Sequence, residues 1–430
     1  MAKKKKGKQQ NGFKRPKYRK DKKPEQKQAN QPNEAGNPQR SSKVEVMVKQ
    51  KAPTLGIKDG KATIVFKASD TLFFRETRPM ETTGEVQSIF PPSAQTMAGA
   101  VRTFIGDSQG INWHAFNKDH ELTKTIGYGD DLGALSFQGA WLALAGERLY
   151  PAPLNIMQSK ADNKITRLNI SEKTIHCDLG KKVRLPTLSD DAQGSKPLEN
   201  SWLTKAGMQA VLAGSVPSDK QIKTKSDLIE TESRVGIARN NQTRAVVDSM
   251  LYQTEHIRPN DQLTIELDAE GLTESLPTSA VVRLGGEGRS ANMTLQQKAD
   301  AGLKQEKMNN AKGIILYLLT PLKYEQKGDD WQPLPAFNKQ ETDKQTIWTG
   351  TLNGIELELH NAVTGKAIRD GGWDLAKHQP RPASSMIPAG SVFYCKVKNG
   401  DYGTAQQALH NSQIGDRAEY GLGHIVTGIW

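Results

Sequence analysis

The 430-residue chain has little cysteine, no long apolar run and no net charge outside its first 43 residues. Cys177 and Cys395 are its only cysteines, and two isolated thiols supply neither a disulfide framework nor a zinc cluster. No apolar run approaches the roughly 20 residues that a membrane helix needs. These absences exclude a disulfide-rich secreted protein and a helical membrane protein, and they predict a cytoplasmic protein.

The positive charge is concentrated at the start of the chain. Residues 1–43 carry 15 of the 59 Lys and Arg but only 3 of the 47 Asp and Glu, which accounts for the whole net charge of +12. This tail has too few apolar side chains to offset its ordering entropy, so we expect it to be disordered. It attracts polyanions without reading their sequence, or it serves only as a solubilising extension. Because the remaining chain is neutral, specific RNA binding requires a local cleft.

The closing stretch, residues 414–430, predicts a tight loop that leads into a strand. Gly415, Gly421 and Gly423 permit positive φ and close backbone approach. Such a loop leaves backbone N–H groups uncovered for a phosphate oxygen, and Arg417 adds positive charge. The alternative is an ordinary glycine turn before a final strand.

A second glycine element, VVRLGGEGRSANM over residues 281–293, repeats this arrangement earlier in the chain. Together with the strand predicted at Ala62–Ala68 and the helix predicted after Ser93, it indicates two related units. We interpret the order strand, helix, two strands, helix, strand as two tandem ferredoxin-like, RRM-like (βαββαβ) domains, an α+β fold. The predicted domains are residues 44–310, with an insertion at about 106–233, and residues 311–430.

Seven segments resemble a known family when they are taken together and in order. They are LFFRETRPM, FPPSAQTMAGAVRT, ESRVGI, LGGEGR, GGWDLA, PAGSVFY and a closing IG-(five residues)-GLG, between Lys61 and Trp430. In this order they resemble the third subunit of the Cmr complex, a RAMP-superfamily protein of type III-B CRISPR effectors. The basic tail lies outside the resemblance.

The resemblance implies two RAMP domains side by side, with the glycine-rich loops near the groove between them. It implies a non-catalytic subunit without cofactor or metal that holds the 5′ tag of a CRISPR RNA (crRNA). It also implies that this subunit bridges the large nucleotide-cyclase subunit to a backbone RAMP subunit. The residues expected at the RNA are Gly415, Arg417, Gly421, Gly423, Gly285, Gly286, Arg289, Arg75, Arg78, Arg102 and Arg234.

Other interpretations remain open for several of these residues and for the whole chain. Arg75 and Arg78 could be strand-end salt-bridge partners, and Trp373 and Trp430 are interpreted as core or interface anchors. Tyr128–Asp131 spells YGDD, a pattern of polymerase metal sites, but it lacks flanking apolar strands. A repeat-cleaving RAMP endoribonuclease would use a histidine base such as His114 or His120. A generic RRM-type RNA-binding protein is the third possibility.

Overall fold

The structure, a computed structural model, describes residues 53–77, 85–240, 242–273, 275–297, 302–307, 311–326, 331–374 and 376–430. The predicted basic tail over residues 1–43 and Arg78 lie outside the described residues. Residues from Lys51 to Trp430 form one compact unit. The described part of the chain is rich in strands with few helices, and none of its helices is both long and apolar enough to cross a lipid bilayer.

The elements follow one another along the chain in three groups. The first contains β1 (Thr54–Gly56), β2 (Ala62–Ala68), β3 (Glu85–Val86), α1 (Ala94–Ser108), α2 (Thr123–Ile126), β4 (Ser136–Leu144), β5 (Glu147–Pro151), β6 (Ile156–Gln158), β7 (Ile165–Arg167), β8 (Asn169–Cys177) and β9 (Gly180–Thr187). The second contains β10 (Lys196–Pro197), β11 (Ser201–Thr204), α3 (Lys205–Leu212), β12 (Ile222–Thr224), α4 (Lys225–Leu228), β13 (Ile229–Arg239), β14 (Val246–Pro259), β15 (Leu263–Glu270), β16 (Ser275–Pro277), β17 (Ser279–Arg283) and β18 (Ser290–Gln296). The third contains β19 (Ile314–Leu318), β20 (Asn338–Glu341), β21 (Thr346–Leu352), β22 (Ile355–Val363), β23 (Ile368–Asp370), β24 (Trp373–Asp374), β25 (Gln379–Pro380), β26 (Ser384–Met386), β27 (Val392–Val397), α5 (Tyr402–Leu409), β28 (Ser412–Gln413) and β29 (His424–Ile429).

Two large antiparallel sheets organise these elements. The first sheet has the order β12-β11-β5-β4-β15-β2-β18-β17, and the second has the order β20-β21-β22-β27-β19-β29-β28. Four central strands in each sheet share one spatial order: β4-β15-β2-β18 in the first and β22-β27-β19-β29 in the second. If the four strands of each set are numbered in chain order, both sets run second, third, first, fourth across the sheet. The two halves therefore repeat one strand order.

Helices accompany the central strands differently in the two halves. In the first half α1 connects the first two central strands, and in the second half α5 connects the last two. Where the predicted order required a second helix, the described residues form β16 and β17 in the first half and β20 and β21 in the second. In the described residues, the expected helix is thus absent from the third crossover of the first half, between β15 and β18, and from the first crossover of the second half, between β19 and β22. The physical reason is the period of burial, because β17 and β18 pair as a hairpin in which every second side chain of β18 is buried.

Helix α1 begins where the sequence predicts. The Ser93 side chain accepts a hydrogen bond from the backbone N–H of Thr96 at 3.2 Å, which caps the first turn. Met97, Val101 and Phe104 recur on one face and are buried in the core of the first half. Both the start of α1 and its buried face are therefore confirmed.

The range 106–233, which the sequence predicts to be an insertion, contains one of the central strands. Strand β4 pairs with β15 from Leu144 opposite Leu263 to Ser136 opposite Glu270, with an irregularity beside Gly139. Strands β5, β11 and β12 from the same range extend the first sheet. The boundary at residue 310 between the predicted domains stays a prediction.

Strand β22 carries a buried histidine at an irregularity of its own. The pairing of β22 with β27 shifts between Leu359 and Asn361, so His360 is the extra residue of a bulge. Its ring is buried, and neither ring nitrogen has a hydrogen-bond partner. Burial, assisted by Lys396 and Arg184, lowers the pKa of His360 to about 4.

This histidine predicts a loss of stability in mild acid. Because its folded-state pKa lies below the ordinary value of about 6.5, the unfolded chain binds the proton more tightly. The neutral His360 makes its full contribution to the unfolding free energy above pH ~6.5. This contribution, about 3 kcal/mol in total, is lost as the pH falls towards 4. We expect His360→Leu to flatten the dependence of the unfolding free energy on pH in this window. Urea titrations at several pH values measure the slope.

His114→Gln, at an exposed position, is measured in parallel as the control for replacement of a histidine. Burial also lowers the pKa of His256 and His410, so some slope remains in the His360 variant. Equal slopes in the wild type and in His360→Leu would contradict the assignment.

Candidate functional site

The closing glycine loop, residues 414–423, is a tight turn that leads into β29 and is called the C-terminal turn below. Gly415, Gly421 and Gly423 have φ values of 80°, 87° and 68°, and Arg417 also adopts a left-handed conformation at 60°. These values lie in the region that glycine enters without steric cost. The predicted loop and the strand that follows it are confirmed.

The amide groups of this turn are largely engaged inside the protein. The Gly421 N–H donates to the Ala418 carbonyl at 2.8 Å, and the Gly423 N–H donates to the Pro321 carbonyl at 2.8 Å. Both glycines are buried, whereas Gly415 is exposed. The expectation that Gly421 and Gly423 offer uncovered N–H groups is therefore wrong. The reason is that the Gly421 N–H is bonded within the turn itself and the Gly423 N–H is bonded to the backbone of a neighbouring segment.

The C-terminal turn also fastens the second half of the chain to the first. A Cβ atom at Gly421 would lie 3.0 Å from the Gly139 carbonyl oxygen and 3.1 Å from that of Phe137, both in β4. Tyr420 and Leu422, on either side of Gly421, are buried in the hydrophobic core of the first half. The absence of a side chain at Gly421 thus permits the close contact between the turn and β4.

This packing brings arginines of the second half onto an aspartate of the first. Arg417 Nη2 lies 3.0 Å from one carboxylate oxygen of Asp130, and Arg381 binds the other. The Tyr420 hydroxyl donates to the Asp130 carbonyl at 2.9 Å, and Arg102 donates to the Gly129 carbonyl at 2.9 Å. We call Asp130, Arg381 and Arg417 the Asp130 cluster. Asp130 belongs to the YGDD stretch, and guanidinium groups bind both of its carboxylate oxygens.

An open cleft of about 270 Å³ lies beside the Asp130 cluster. Four cations line it, Lys323, Lys377, Arg381 and Arg417, together with the carboxylates of Asp130, Asp370 and Asp374. Asp370 and Asp374 are nearly buried. Lys323 Nζ lies 2.7 Å from the Asp370 carboxylate, and the Asp374 carboxylate accepts the N–H groups of Ala376 and Lys377, each at 3.0 Å. The cleft therefore presents more unmatched positive than negative charge to a ligand.

The first glycine element is the turn of the β17–β18 hairpin, residues 284–289. Gly285 and Gly288 have positive φ values of 87° and 66°, and the Gly286 N–H donates to the Phe73 carbonyl at 2.8 Å. Residues 285–288 are exposed, in contrast to the buried Gly421 and Gly423. The two glycine turns thus share a backbone conformation but differ in burial.

Next to this turn, three arginines surround one aspartate. Asp70 lies 3.5 Å from Arg289, 3.5 Å from Arg234 and 3.1 Å from Arg258. Glu232 also binds Arg234 at 2.7 Å and Arg258 at 2.6 Å. We call these five residues the Asp70 cluster. It contains three guanidinium groups against two carboxylates and retains an excess of positive charge.

Both central aspartates remain ionised at neutral pH. The backbone amide of Thr71, followed by Arg258 and Arg234, holds the pKa of Asp70 below its ordinary value. Partial burial would raise the pKa of Asp130, but Arg381 and Arg417 outweigh it and hold the pKa below its ordinary value. Each cluster is therefore a set of guanidinium groups arranged around a carboxylate.

The segment from Asp70 to Thr77 connects the two clusters. It begins at Asp70, is anchored by the buried Phe73 and Phe74, and ends at Thr77, whose side chain contacts Gly371 in the wall of the cleft. An extended chain of this length spans at most about 25 Å. Arg75 is exposed within the segment and pairs through its backbone with Ser88. Arg234 and Arg289 thus lie in the Asp70 cluster, Arg417 lies in the Asp130 cluster with Arg102 beside it, and the exposed Arg75 lies on the segment between them.

Sequence reasoning missed Arg258 and Arg381, which are as central to the clusters as the predicted arginines. Arg258 belongs to β14, where only its pairing opposite Glu230 and its reach to Asp70 reveal its position. Of the two histidines considered for a nuclease, His120 accepts the Leu122 N–H at Nδ1 at 3.1 Å, and His114 is exposed. Trp430 packs against the core and donates to the Cys395 carbonyl at 3.2 Å, whereas Trp373 is 49% exposed. Within the described ranges no group of three or more His, Cys, Asp or Glu is arranged to hold a metal ion.

Comparison with known proteins gives a family and several solved structures. The family described as CRISPR-associated protein (Cas_Cmr3) matches residues 64–430. No curated protein matches the chain. A chain in the cryo-EM structure of the type III-B Cmr-beta bound to cognate target RNA is 14% identical, with 77% of this chain and 86% of that chain covered and a TM-score of 0.43. A chain in the cryo-EM structure of the type III-B Cmr-beta bound to cognate target RNA and AMPPnP is also 14% identical, with 77% of this chain and 86% of that chain covered and a TM-score of 0.42. A chain in the crystal structure of the Csm3-Csm4 subcomplex in the type III-A CRISPR-Cas interference complex is 12% identical, with 78% of this chain and 93% of that chain covered and a TM-score of 0.35.

The contrast between the two glycine turns predicts different sensitivities to a methyl group. At Gly423 a Cβ would lie 1.8 Å from the Ile414 carbonyl oxygen, whereas at Gly288 it would meet nothing within 4 Å. Both glycines have positive φ, so both alanine variants carry the same backbone strain of about 1–2 kcal/mol. We expect Gly423→Ala to lower the unfolding free energy by about 3 kcal/mol or more, and Gly288→Ala by only the strain. Urea unfolding of both variants measures this difference, and equal losses would contradict the packing described for the C-terminal turn.

Proposed function

Because the chain belongs to the family described as CRISPR-associated protein (Cas_Cmr3), we propose that it is an RNA-binding subunit of a type III-B CRISPR effector complex. In this proposal it holds the repeat-derived 5′ tag of the crRNA and performs no catalysis. The proposal is supported by two arginine clusters, which the segment from Asp70 to Thr77 with its exposed Arg75 connects along the chain, and by the cleft beside the Asp130 cluster. Guanidinium groups hold phosphates through paired hydrogen bonds, which suits the backbone of a single-stranded RNA.

The repeated strand order supports a tandem origin for the two halves. A four-stranded antiparallel sheet ordered second, third, first and fourth is the arrangement of a ferredoxin-like domain. In the proposal each half is such a RAMP domain that has retained one of its two helices, α1 in the first half and α5 in the second. The groove that the RNA follows then lies where the C-terminal turn meets β4.

Binding in this proposal depends on side chains more than on bare backbone. The N–H groups of Gly421 and Gly423 are already bonded, so Gly421 acts by allowing the turn to approach β4, and Gly423 by allowing close contact with Ile414 at the start of the turn. That approach positions Arg417, and the hairpin turn positions Arg289. Gly415, Gly285 and Gly286 remain exposed and can lie beside the RNA backbone.

We also propose that the chain bridges the large nucleotide-cyclase subunit to a backbone RAMP subunit. The β13–β14 hairpin supports a role within an assembly, because its side chains Val235, Ile237 and Leu251 are apolar and more than half exposed. Contiguous apolar side chains on an exposed hairpin are typical of surfaces that contact another protein.

The RNA path predicts which arginines determine affinity. We expect Arg289→Ala and Arg417→Ala each to weaken binding of a tagged RNA by about 1–3 kcal/mol and to reduce the salt dependence by roughly one phosphate contact. Lys61→Ala is the matched control, since Lys61 lies at the opposite end of β2 from Asp70 and pairs with Glu270. Fluorescence anisotropy with tagged RNA at several salt concentrations measures these effects. Wild-type affinity in both arginine variants would end the site assignment.

A cleavage assay separates the proposed scaffold from the alternatives. We expect purified protein to leave repeat RNA intact without added metal and to bind tagged RNA more tightly than untagged RNA. A specific cut that disappears in His114→Ala or His120→Ala would instead establish a repeat-cleaving endoribonuclease. Equal affinity for tagged and untagged RNA would instead favour a generic RRM-type protein.

A further inference from the structure

Each of the two arginine clusters is built around an aspartate that is half exposed. The side chains of Asp70 and Asp130 are 50% and 47% exposed. Each carboxylate binds the arginine of a glycine turn, Arg289 for Asp70 and Arg417 for Asp130. Each also binds at least one further guanidinium group, from Arg258 or from Arg381. The same arrangement therefore occurs twice, once in the Asp70 cluster and once in the Asp130 cluster.

A role in stability accounts poorly for these clusters. Partly exposed ion pairs contribute only about 0–1 kcal/mol, because water competes for both partners and the side chains lose conformational freedom. Three guanidinium groups around Asp70 also repel one another, so their convergence requires an anion between them. The side chains of Arg258 and Arg234 are 46% and 32% exposed, so this cluster also has guanidinium surface that is open to solvent. The clusters have more donor capacity than their aspartates satisfy.

A phosphate fits this unused capacity. Carboxylates and phosphates both accept paired hydrogen bonds from guanidinium groups, but a phosphate offers more acceptor oxygens. Because Asp70 and Asp130 are half exposed, water can hydrate either carboxylate once it is displaced from its arginines. The guanidinium groups would then face the path proposed for the RNA.

We propose that Asp70 and Asp130 are phosphate place-holders: in the free protein each carboxylate occupies the position of an RNA backbone phosphate, which displaces it on binding. This inference rests on the proposed RNA-binding function and adds a competitor to each phosphate site. An anion that reaches one cluster replaces one internal partner and gains little. An RNA that follows the path from Asp70 to the cleft replaces both, so two carboxylates compete with it, whereas only one competes with a shorter anion.

Asparagine variants test the proposal because they keep the shape of the side chain and remove its charge. We expect Asp70→Asn and Asp130→Asn each to tighten binding of tagged RNA by about 3- to 10-fold at low salt, since RNA no longer competes with a carboxylate. The double variant should tighten it further, and a dinucleotide that reaches only one cluster should gain less affinity than the tagged RNA. Fluorescence anisotropy with the full chain gives the affinities.

The control removes the same charge away from the path. Glu270 binds Lys61 at 2.9 Å at the opposite end of β2, so Glu270→Gln should change RNA affinity by less than about 2-fold. Thermal unfolding of each variant shows that the fold is retained, and the two aspartates lie on separate segments, so each site is tested independently.

Two results would overturn the proposal. Weaker RNA binding in the asparagine variants would show that the carboxylates position the arginines for RNA instead of occupying its place. A change equal to that of Glu270→Gln would show that no phosphate enters either position. The proposed function fails separately, if Arg289→Ala and Arg417→Ala leave the affinity for tagged RNA unchanged.

Discussion

The contact between the C-terminal turn and strand β4 is the constraint on which the candidate site depends. A Cβ atom at Gly421 would lie only 3.0–3.1 Å from the carbonyl oxygens of Gly139 and Phe137. Tyr420 and Leu422 enter the core of the first half, while β29 continues from the turn into the second sheet, next to β19. Since the turn is held by this core on one side and by the buried strand β29 on the other, Arg417 is positioned over the Asp130 carboxylate. The charged site is thus a consequence of apolar packing.

Local placement of charge gives the site its sign, since the chain outside the tail is neutral overall. The arginines of both clusters are partly exposed and paired, so their ion pairs contribute little to stability and remain available to another anion. Deeply buried charges behave differently. Arg148 binds Glu266 and Asp268 beneath the first sheet, with side chains almost inaccessible to solvent, and there loss of one partner would leave an uncompensated buried charge. The difference in exposure separates the cations that can meet a ligand from those that hold the fold.

Local features of the fold could be predicted from the sequence, whereas its long-range features could not. Ser93 and the spacing of Met97, Val101 and Phe104 predict α1 because capping and helical period are local properties. The spacing of Gly415, Gly421 and Gly423 predicts positive φ, but it contains no information on what covers the N–H groups, and those of Gly421 and Gly423 are covered. Strand β4 could not be predicted because glycine and small residues interrupt its apolar alternation. The positions of Arg258 and Arg381 could not be predicted because the aspartates that they bind lie far away in the chain.

Shared packing between the two halves determines how the proposed groove can behave. One face of the second sheet, formed by Ile315, Tyr317 and Val426, packs in one core with α3 and with Trp141 and Tyr150 of the first half. Separate domains that close around a ligand need an interface that is small or polar, so that opening exposes little apolar surface. Here opening would expose buried aromatic side chains and pull Tyr420 and Leu422 out of the other core. The groove beside the Asp130 cluster is therefore preorganised, and the changes that accompany binding are confined to side chains on its surface, which is the kind of change that displacement of a carboxylate requires.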